Sequence, residues 1–381
     1  MTNASVPLDS ASAEPLHPQA RETLLAALDA GYADPRRLHH DGRRARLLLD
    51  NAREAVAGAL DVRPDEVTFT GSGTDAVHRG LLGLLGPRLR HGTAIAHGAV
   101  EHSSVLHAAA WASRTWPQVS VASLPVDRLG RLDLAAAPEL LTSPPAVIAV
   151  QSANHEVGTR QPVAEAAALT DAPLFMDACA SAGREPLPQG WAAAALSAHK
   201  WGGPAGVGVL LVRRGTRWRN PFPADDRIDE RGVGFENVPG ALAAAAALQA
   251  VVAEREEVGV RQRSLIEWVR RRVVETVPDV EVVGDQDDRL PHLVTFSCLY
   301  VDGEALVHEL DAAGYGVASG SACTASTLEP SHVLAAMGVL THGNIRLSLA
   351  RDTSQAQVEG FLTALPGVVA GIRGRLGIGE A

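Results

Sequence analysis

Residues 196–208, LSAHKWGGPAGVG, join the end of an apolar strand to a glycine-rich turn around one lysine. The apolar run predicts a buried strand that ends at Ser197. The glycines after Lys200 allow the backbone to approach a bound molecule closely. Ser197 and His199 place hydrogen-bond donors beside the lysine amine, which suits a phosphate group. The stretch therefore predicts a ligand site at the end of a buried strand.

Lys200 is the single lysine among the 34 Lys and Arg residues of the chain. Arginine cannot lose its proton and attack a carbonyl group as a neutral amine, whereas lysine can. A lone lysine is therefore a candidate for Schiff-base chemistry, and arginine-rich codon usage is the alternative. Asp177 ends another apolar strand, where its carboxylate could keep a pyridinium nitrogen protonated. A helix-capping Asp177 and a solvent-exposed Lys200 are the structural alternatives.

Short apolar strands alternate with helical patterns through the first two thirds of the chain. This alternation predicts a mainly parallel sheet covered by helices. Strands are predicted at residues 67–70, 94–97, 147–151, 174–177, 194–197 and 207–212. Helices are predicted at residues 53–60, 76–85, 104–113 and 163–169.

The last third of the chain predicts a smaller α+β domain. Residues 240–276 have the pattern of a long helix that starts after a break at residues 238–240. A strand, a helix, a Gly/Ser-rich loop and another strand follow at residues 293–297, 303–313, 319–326 and 344–349. We therefore expect a large domain over residues 15–245 and a small domain over residues 1–14 and 246–381.

Two further segments follow strands of the predicted large domain. Residues 70–75, TGSGTD, end one strand and open a helix. Small residues at a helix N-terminus form an anion cradle, although such turns are also common without a ligand. His102 has a ring that could stack on a flat cofactor, with a structural histidine as the alternative.

Cys323 lies among small residues in the segment 317–330, VASGSACTASTLEP. A nucleophilic thiol must be accessible, and this composition favours accessibility. Cys298, inside an apolar strand, has the setting of an inert thiol, whereas Cys179 is ambiguous. Arg346 offers a guanidinium group for a substrate carboxylate, with a surface ion pair as the alternative.

Composition excludes several classes of function. A formal charge of −10 and a pI of about 5.8 argue against a nucleic-acid surface. No run approaches the roughly 18 apolar residues that span a bilayer, so we expect no membrane segment. Three cysteines are too few and too scattered for a disulfide framework or a zinc site, so we expect no metal. Residues 1–20 have no signal or transit peptide pattern, so we expect a cytoplasmic protein.

Together these segments resemble the cysteine desulfurases of the NifS type, class V enzymes of fold type I that use pyridoxal 5′-phosphate (PLP). The resemblance runs from about Leu8 to about Arg373. It is most specific at residues 319–338, SGSACTASTLEPSHVLAAMG, which are close to the catalytic-cysteine loop of the family's first group. It implies an α/β fold-type I PLP transferase whose large domain has a mainly parallel seven-stranded sheet. It also implies removal of sulfur from L-cysteine, release of L-alanine, and transfer of the sulfur to an acceptor protein or thiol.

The resemblance implies a role for each candidate residue. Lys200 would form the Schiff base with PLP, Asp177 would contact the pyridinium nitrogen, and Cys323 would become the persulfide. His102 would stack on the ring and handle protons. Arg346 would bind the substrate carboxylate. The phosphate contacts would come from Gly73, Thr74, Ser197 and His199.

Three departures from the family's pattern bear on the site. Residues 154–158 read NHEVG where the family commonly has Asn-Asn-Glu-x-Gly. His155 or Asn154 must therefore contact the cofactor's ring hydroxyl and the substrate carboxylate. Ala180 replaces a glutamine that would contact the ring oxygen. Residues 232–235 lack the threonine that reaches the phosphate of the partner subunit.

The resemblance also implies a homodimer, the commonest closed assembly of soluble enzymes. The departures leave two alternatives open. One is a PLP lyase or aminotransferase of the same fold that does not use Cys323 and acts on selenocysteine or another cysteine derivative. The other is a catalytically degenerate scaffold in a sulfur-transfer complex. Yellow PLP-bound protein would argue against the scaffold, and alanine and sulfide made from cysteine would separate the two enzyme readings.

Overall fold

Strands in the described part of the chain form three sheets. The structure, a computed structural model, describes residues 5–31, 33–90, 92–141, 144–223, 229–319 and 330–377. In chain order the strands are β1 (Val6–Pro7), β2 (Val67–Thr70), β3 (Ala94–Gly98), β4 (Ser120–Leu124), β5 (Pro145–Gln151), β6 (Leu174–Asp177), β7 (Ala193–Ser197), β8 (Gly208–Val212), β9 (Val280–Val283), β10 (Leu293–Cys298), β11 (Tyr315–Gly316) and β12 (Asn344–Ser348).

The central sheet has seven strands in the order β2-β8-β7-β6-β5-β3-β4. β8 runs antiparallel to both neighbours, and the other pairs are parallel. The prediction of a mainly parallel seven-stranded sheet is therefore confirmed. β5 to β8 are buried along their whole length because helices cover both faces, and this is why they read as continuous apolar runs. The edge strand β4, largely exposed, was not predicted.

Helices cover the central sheet and connect it to the rest of the chain. In chain order they are α1 (Pro18–Asp29), α2 (His40–Leu60), α3 (Gly73–Arg88), α4 (Ser103–Thr115), α5 (Ala137–Leu140), α6 (Val163–Ala167), α7 (Val238–Thr276), α8 (Gly303–Ala312), α9 (His332–Met337) and α10 (Gln355–Arg375). Two single 3₁₀ turns, Pro64–Glu66 and Ala198–Lys200, follow α2 and β7. Among these helices, none is both long and apolar enough to cross a membrane.

The long helix α7 begins earlier than its sequence predicts. The expected break at residues 238–240 is wrong, because these residues form the first turn of the helix. Pro239 is tolerated there, since the first N–H groups of a helix have no partner within it. The side chain of Asn237 caps the turn by accepting the N–H of Gly240 at 3.0 Å. The capping asparagine and the early proline are thus the start signal of α7.

A second, smaller core lies beyond α7. It surrounds the antiparallel sheet β12-β10-β9, which packs against α8, α10 and the end of α7. The strand β1 pairs in parallel with β11, so the N-terminal residues pack with this part of the chain. The second core and this pairing involve residues of the predicted small domain, residues 1–14 and 246–381, and the division into two domains stays a prediction. The boundary between residues 245 and 246 falls inside α7 and stays a prediction.

Candidate active site

The candidate residues follow four neighbouring strands at one edge of the central sheet. β7, β6, β5 and β3 are adjacent and parallel, so their carboxyl ends share this edge. Open α/β sheets bind their ligands there. His102 follows β3, Asn154 and His155 follow β5, Asp177 ends β6, and Lys200 follows β7. The topology thus brings together residues that are up to 98 positions apart (102 to 200) in the sequence.

Asp177 presents a carboxylate at the end of β6 and is 6% exposed. Its Oδ1 accepts the backbone N–H of Cys179 at 2.9 Å. A carboxylate has further lone pairs, so the side chain can also accept a hydrogen bond from a ring nitrogen. The position fits the pyridinium partner that the resemblance implies, and this role stays a prediction.

Lys200 ends the 3₁₀ turn that follows β7. The next residue, Trp201, is fully buried, and its Nε1 donates to the carbonyl oxygen of Ala244 at 3.1 Å. This anchor holds the backbone of the turn, while the half-buried lysine side chain extends from it. Burial lowers the pKa of His199, and the charge of Lys200 lowers this pKa further.

An anion cradle forms where α3 begins, beside the end of β7. Gly73 is buried so tightly that a β-carbon there would lie 2.7 Å from the β-carbon of Ser197. The Ser197 hydroxyl lies 3.1 Å from Nδ1 of His199. The next residue of α3, Thr74, is exposed. Glycine at position 73 therefore lets the first turn of α3 lie directly against Ser197, so the first N–H groups of the helix come close to the Ser197 hydroxyl. Donors grouped at a helix N-terminus in this way suit a phosphate group.

Two histidine rings contact each other at this edge. The ring centroids of His102 and His155 are 5.1 Å apart, with an angle of 79° between the planes. Nδ1 of His102 accepts the backbone N–H of Ser104 at 3.1 Å, so the ring proton resides on Nε2. Burial lowers the pKa of His102, whereas the charge of Asp177 acts in the opposite direction. His102 is thus a neutral ring with a proton available on Nε2.

Asn154 and His155, in the turn that follows β5, differ in the hydrogen bonds that their side chains make. Asn154 is fully buried, and its Nδ2 donates to the carbonyl oxygen of Val100 at 3.1 Å. Its Oδ1 accepts the two backbone N–H groups after His155, each at 2.8 Å. His155 is 7% exposed, and its Nδ1 has no hydrogen-bond partner among the described residues. His155 therefore has a polar atom to offer a bound molecule, while contacts of Asn154 with cofactor or substrate stay a prediction.

Arg346, in β12, lies buried against the same turn. Its guanidinium donates to the carbonyl oxygen of His155 at 3.0 Å, to Oδ1 of Asp9 at 2.8 Å and to Oγ of Ser12 at 2.6 Å. Its Nε finds no partner in the part of the chain that the structure describes. The ion pair with Asp9 is largely buried, so the alternative of a surface pair does not describe it. Capture of a substrate carboxylate by Arg346 stays a prediction.

The predicted nucleophile, Cys323, lies outside the described residues. The two described cysteines are free thiols. Burial raises the pKa of Cys298 to about 11, in agreement with an inert thiol. Burial also raises the pKa of Cys179 well above its ordinary value, and its Sγ lies 3.6 Å from the carbonyl oxygen of Ala195. Neither of these thiols has the environment of a thiolate nucleophile.

A buried acid that sequence reasoning missed lies next to His102. Glu101 is 1% exposed, and its Oε1 accepts the backbone N–H of Gln151 at 2.8 Å. Within the described ranges its Oε2 has no partner. Burial raises the pKa of Glu101 well above its ordinary value, and the charge of Asp177 adds to this effect. The sequence shows only an acid before a helix, which gives no sign of burial.

Comparison with known proteins places the chain in a family. The profile of the Aminotransferase class-V family matches residues 6–361. The chain is 32% identical over 375 residues to the cysteine desulfurase IscS of Dictyoglomus turgidum, which covers 96% of this chain and 95% of that protein. It is 35% identical over 387 residues to the IscS-like cysteine desulfurase of Mycobacterium tuberculosis, with 96% of both chains covered.

A solved structure agrees with these relatives. A NifS-like protein superposes with a TM-score of 0.87 at 25% sequence identity, and the match covers 96% of this chain and 99% of that one. The family profile and the relatives extend over both the central sheet and the smaller core. The chain therefore belongs to the class-V aminotransferase family and, within it, to the cysteine desulfurases of the IscS and NifS kind.

Proposed function

We propose that this chain is a PLP-dependent cysteine desulfurase that holds its cofactor on Lys200 and takes sulfur from L-cysteine onto Cys323. The observation that carries the proposal is the meeting of a lone lysine, a buried aspartate and an anion cradle at one sheet edge. The names of the curated relatives support cysteine as the substrate.

When bound, PLP supplies an electron sink for the bonds around the amino-acid substrate's Cα. Gly73, Ser197 and His199 would bind its phosphate, with Thr74 beside them. The carboxylate of Asp177 would accept the ring N–H. Because the Cys179 backbone already orients this carboxylate, little rearrangement is needed on binding. The protein thus provides a binding group for each end of the cofactor.

Two groups at the sheet edge can hold or move a proton beside the substrate. The Lys200 amine, when neutral, can take a proton at its Nζ. His102 holds a proton on Nε2, because its Nδ1 is occupied by the N–H of Ser104. Arg346 would hold the substrate carboxylate, and Nδ1 of His155, which has no partner among the described residues, could make a further hydrogen bond.

The net reaction that we propose transfers the sulfur of one L-cysteine to one enzyme thiol. The Cβ–S bond of L-cysteine breaks and its electron pair stays with Cβ, which takes up a proton to give L-alanine. The released sulfur forms an S–S bond with Cys323, so the carbon is reduced and the sulfur pair is oxidised to a persulfide. An acceptor thiol or protein then removes the outer sulfur.

We also propose that the enzyme is a cytoplasmic homodimer. Residues 232–235 line a cavity of about 120 Å³ together with Gly71 and Asp75 of the α3 N-terminal region. Val233 and Phe235 are exposed there, Phe235 by 55%. A second copy of the chain would cover this apolar surface beside the phosphate cradle.

Incubation of the purified, PLP-loaded protein with L-cysteine and an excess of a small thiol tests the proposal. L-Alanine and sulfide should appear in equal amounts. Lys200→Arg is the matched variant, because arginine keeps the charge but stays protonated at usable pH. It should produce neither compound. Sulfide with pyruvate in place of alanine, or turnover by Lys200→Arg, would contradict the proposal.

A further inference from the structure

Two hydrogen bonds tie the start of α9 to the turns that carry the candidate histidines. The hydroxyl of Ser331 donates to Oε2 of Glu156 at 2.7 Å. Nε2 of His332 lies 2.9 Å from the carbonyl oxygen of Glu101 and donates to it. Glu101 and Glu156 are the direct chain neighbours of the two candidate histidines. The first residues of α9 are thus bonded to both sides of the candidate active site.

Apolar packing continues this attachment along α9. Val333, Leu334 and Met337 form one buried cluster with Val100 and Val157, which belong to the same two turns. α9 lies in the predicted small domain, whereas both turns lie in the predicted large domain. The helix is therefore fixed to the active-site edge of the central sheet by side chains on one face.

The bond between Ser331 and Glu156 lies between buried groups. Ser331 also caps α9, because its Oγ accepts the N–H of Leu334 at 3.2 Å. Glu156 is 2% exposed, and Ser331 is buried as well. Burial raises the pKa of Glu156 to about 7. Removing one partner would leave the other without water or a protein group to replace it, so this bond contributes more than a surface bond does.

The chain is also attached to the site before Cys323, at Ala318. Ala318 and Arg346 exchange two backbone hydrogen bonds, of 3.2 and 2.7 Å. Cys323 is eight positions before Ser331. A chain of that length can reach roughly 28 Å when extended, which is far more than the width of a substrate. The described residues that flank Cys323 in the sequence, Ala318 and Ser331, are thus both attached to the site.

We propose that Ser331 and His332 are positioning residues for sulfur transfer. By attaching the start of α9 to Glu156 and Glu101, they raise the effective concentration of the Cys323 thiol at the substrate sulfur. The inference rests on the proposed function, because it takes Cys323 as the sulfur acceptor. Loss of either bond should slow the exchange of the Cβ–S bond for the S–S bond, without weakening the binding of L-cysteine.

Full-length, PLP-loaded variants test this inference with two readouts. The first is the rate of persulfide formation in a single turnover, followed by the mass of the protein. The second is the L-cysteine concentration that gives half of the change in visible cofactor absorbance. The variants are Ser331→Ala, His332→Ala and the conservative Ser331→Thr. Ser354→Ala is the matched control, because Ser354 caps the exposed start of α10 through the N–H of Gln357 at 3.3 Å.

Ser331→Ala should form persulfide roughly tenfold more slowly, the loss expected for one buried hydrogen bond. His332→Ala should be slower by about two- to tenfold, because its bond to the Glu101 carbonyl is a neutral and only partly buried one. Their half-saturating cysteine concentration should match that of the wild type. Ser331→Thr should restore the rate, and Ser354→Ala should leave both readouts unchanged. Wild-type rates in both alanine variants would overturn the inference.

The inference would also be overturned if the half-saturating L-cysteine concentration of the alanine variants rose in proportion to their loss of rate. The start of α9 would then support substrate binding as well as sulfur transfer. If Ser331→Ala does not fold, His332→Ala decides the question alone, since His332 is exposed. A wild-type protein that makes no alanine and no persulfide would refute the proposed function, and the inference with it.

Discussion

A methyl group at position 73 should weaken the binding of PLP through its phosphate. In Gly73→Ala the new β-carbon would lie 2.7 Å from Cβ of Ser197, 2.9 Å from its Oγ and 3.1 Å from Sγ of Cys179. Ser197 cannot easily move away, because it is buried at the end of β7 and paired with Gly208 of β8. Overpacking of this kind costs about 1–3 kcal/mol. If α3 shifts to relieve the contact, its N–H groups move away from the Ser197 hydroxyl.

The same free energy then appears as a loss of affinity for PLP of about 5- to 150-fold. The measurement is the PLP dissociation constant, from a titration of the apoprotein followed by visible absorbance. Gly71→Ala is the matched control in the same turn, because no described atom lies within 4 Å of a β-carbon built there. The control should bind PLP within about twofold of the wild type. A wild-type dissociation constant for Gly73→Ala, or an equal loss in both variants, would refute the cradle at the start of α3.

Three further predictions concern pH and assembly. Because burial raises the pKa of Glu156 from 4.5 to about 7, the folded protein binds a proton that the unfolded chain releases, and stability falls as pH rises through this range. In urea unfolding, the free energy of unfolding of the wild type should fall by about 2–3 kcal/mol between pH 5 and pH 8, and Glu156→Gln should abolish this fall. An unchanged pH dependence in the variant would count against the buried acid. Burial lowers the pKa of His155 well below 6.5, so wild-type stability falls as pH drops below 6.5. His155→Asn should therefore lose less stability than the wild type between pH 7 and pH 5, and an equal loss would contradict a neutral ring. Light scattering at micromolar concentration should give the mass of two copies, whereas the mass of one copy would exclude the dimer.

The central sheet could be predicted from the sequence because its inner strands are buried on both faces. Such strands are continuous apolar runs, and the predicted ends of β2 and β6 match the structure. The edge strand β4 has no such run, since four of its five residues are at least partly exposed. α9 has only six residues, which is too short for a helical period to be recognised. Strands that are buried on both faces could therefore be predicted from the sequence, whereas the exposed edge strand β4 could not.

The site could be predicted where function places a residue at a strand end or in a recognisable motif. The roles of Lys200, Asp177 and Cys323 rest on such motifs. The partners of the site residues could not be predicted in this way. Arg346 pairs with Asp9 across 337 positions, and Ser331 pairs with Glu156 across 175. No local spacing links residues so far apart, because only the assembled fold brings them together.

Sulfur transfer to Cys323 is best tested by finding which cysteine receives the sulfur. The PLP-loaded protein would be mixed with L-cysteine that carries an isotopically labelled sulfur, without an acceptor thiol, and then digested for peptide mass spectrometry. Burial raises the pKa of both Cys179 and Cys298, so neither should compete as a thiolate. We expect one labelled sulfur on the peptide that contains Cys323, and none in Cys323→Ser. Labelled sulfur on Cys179 or Cys298, or on Cys323→Ser protein, would contradict it.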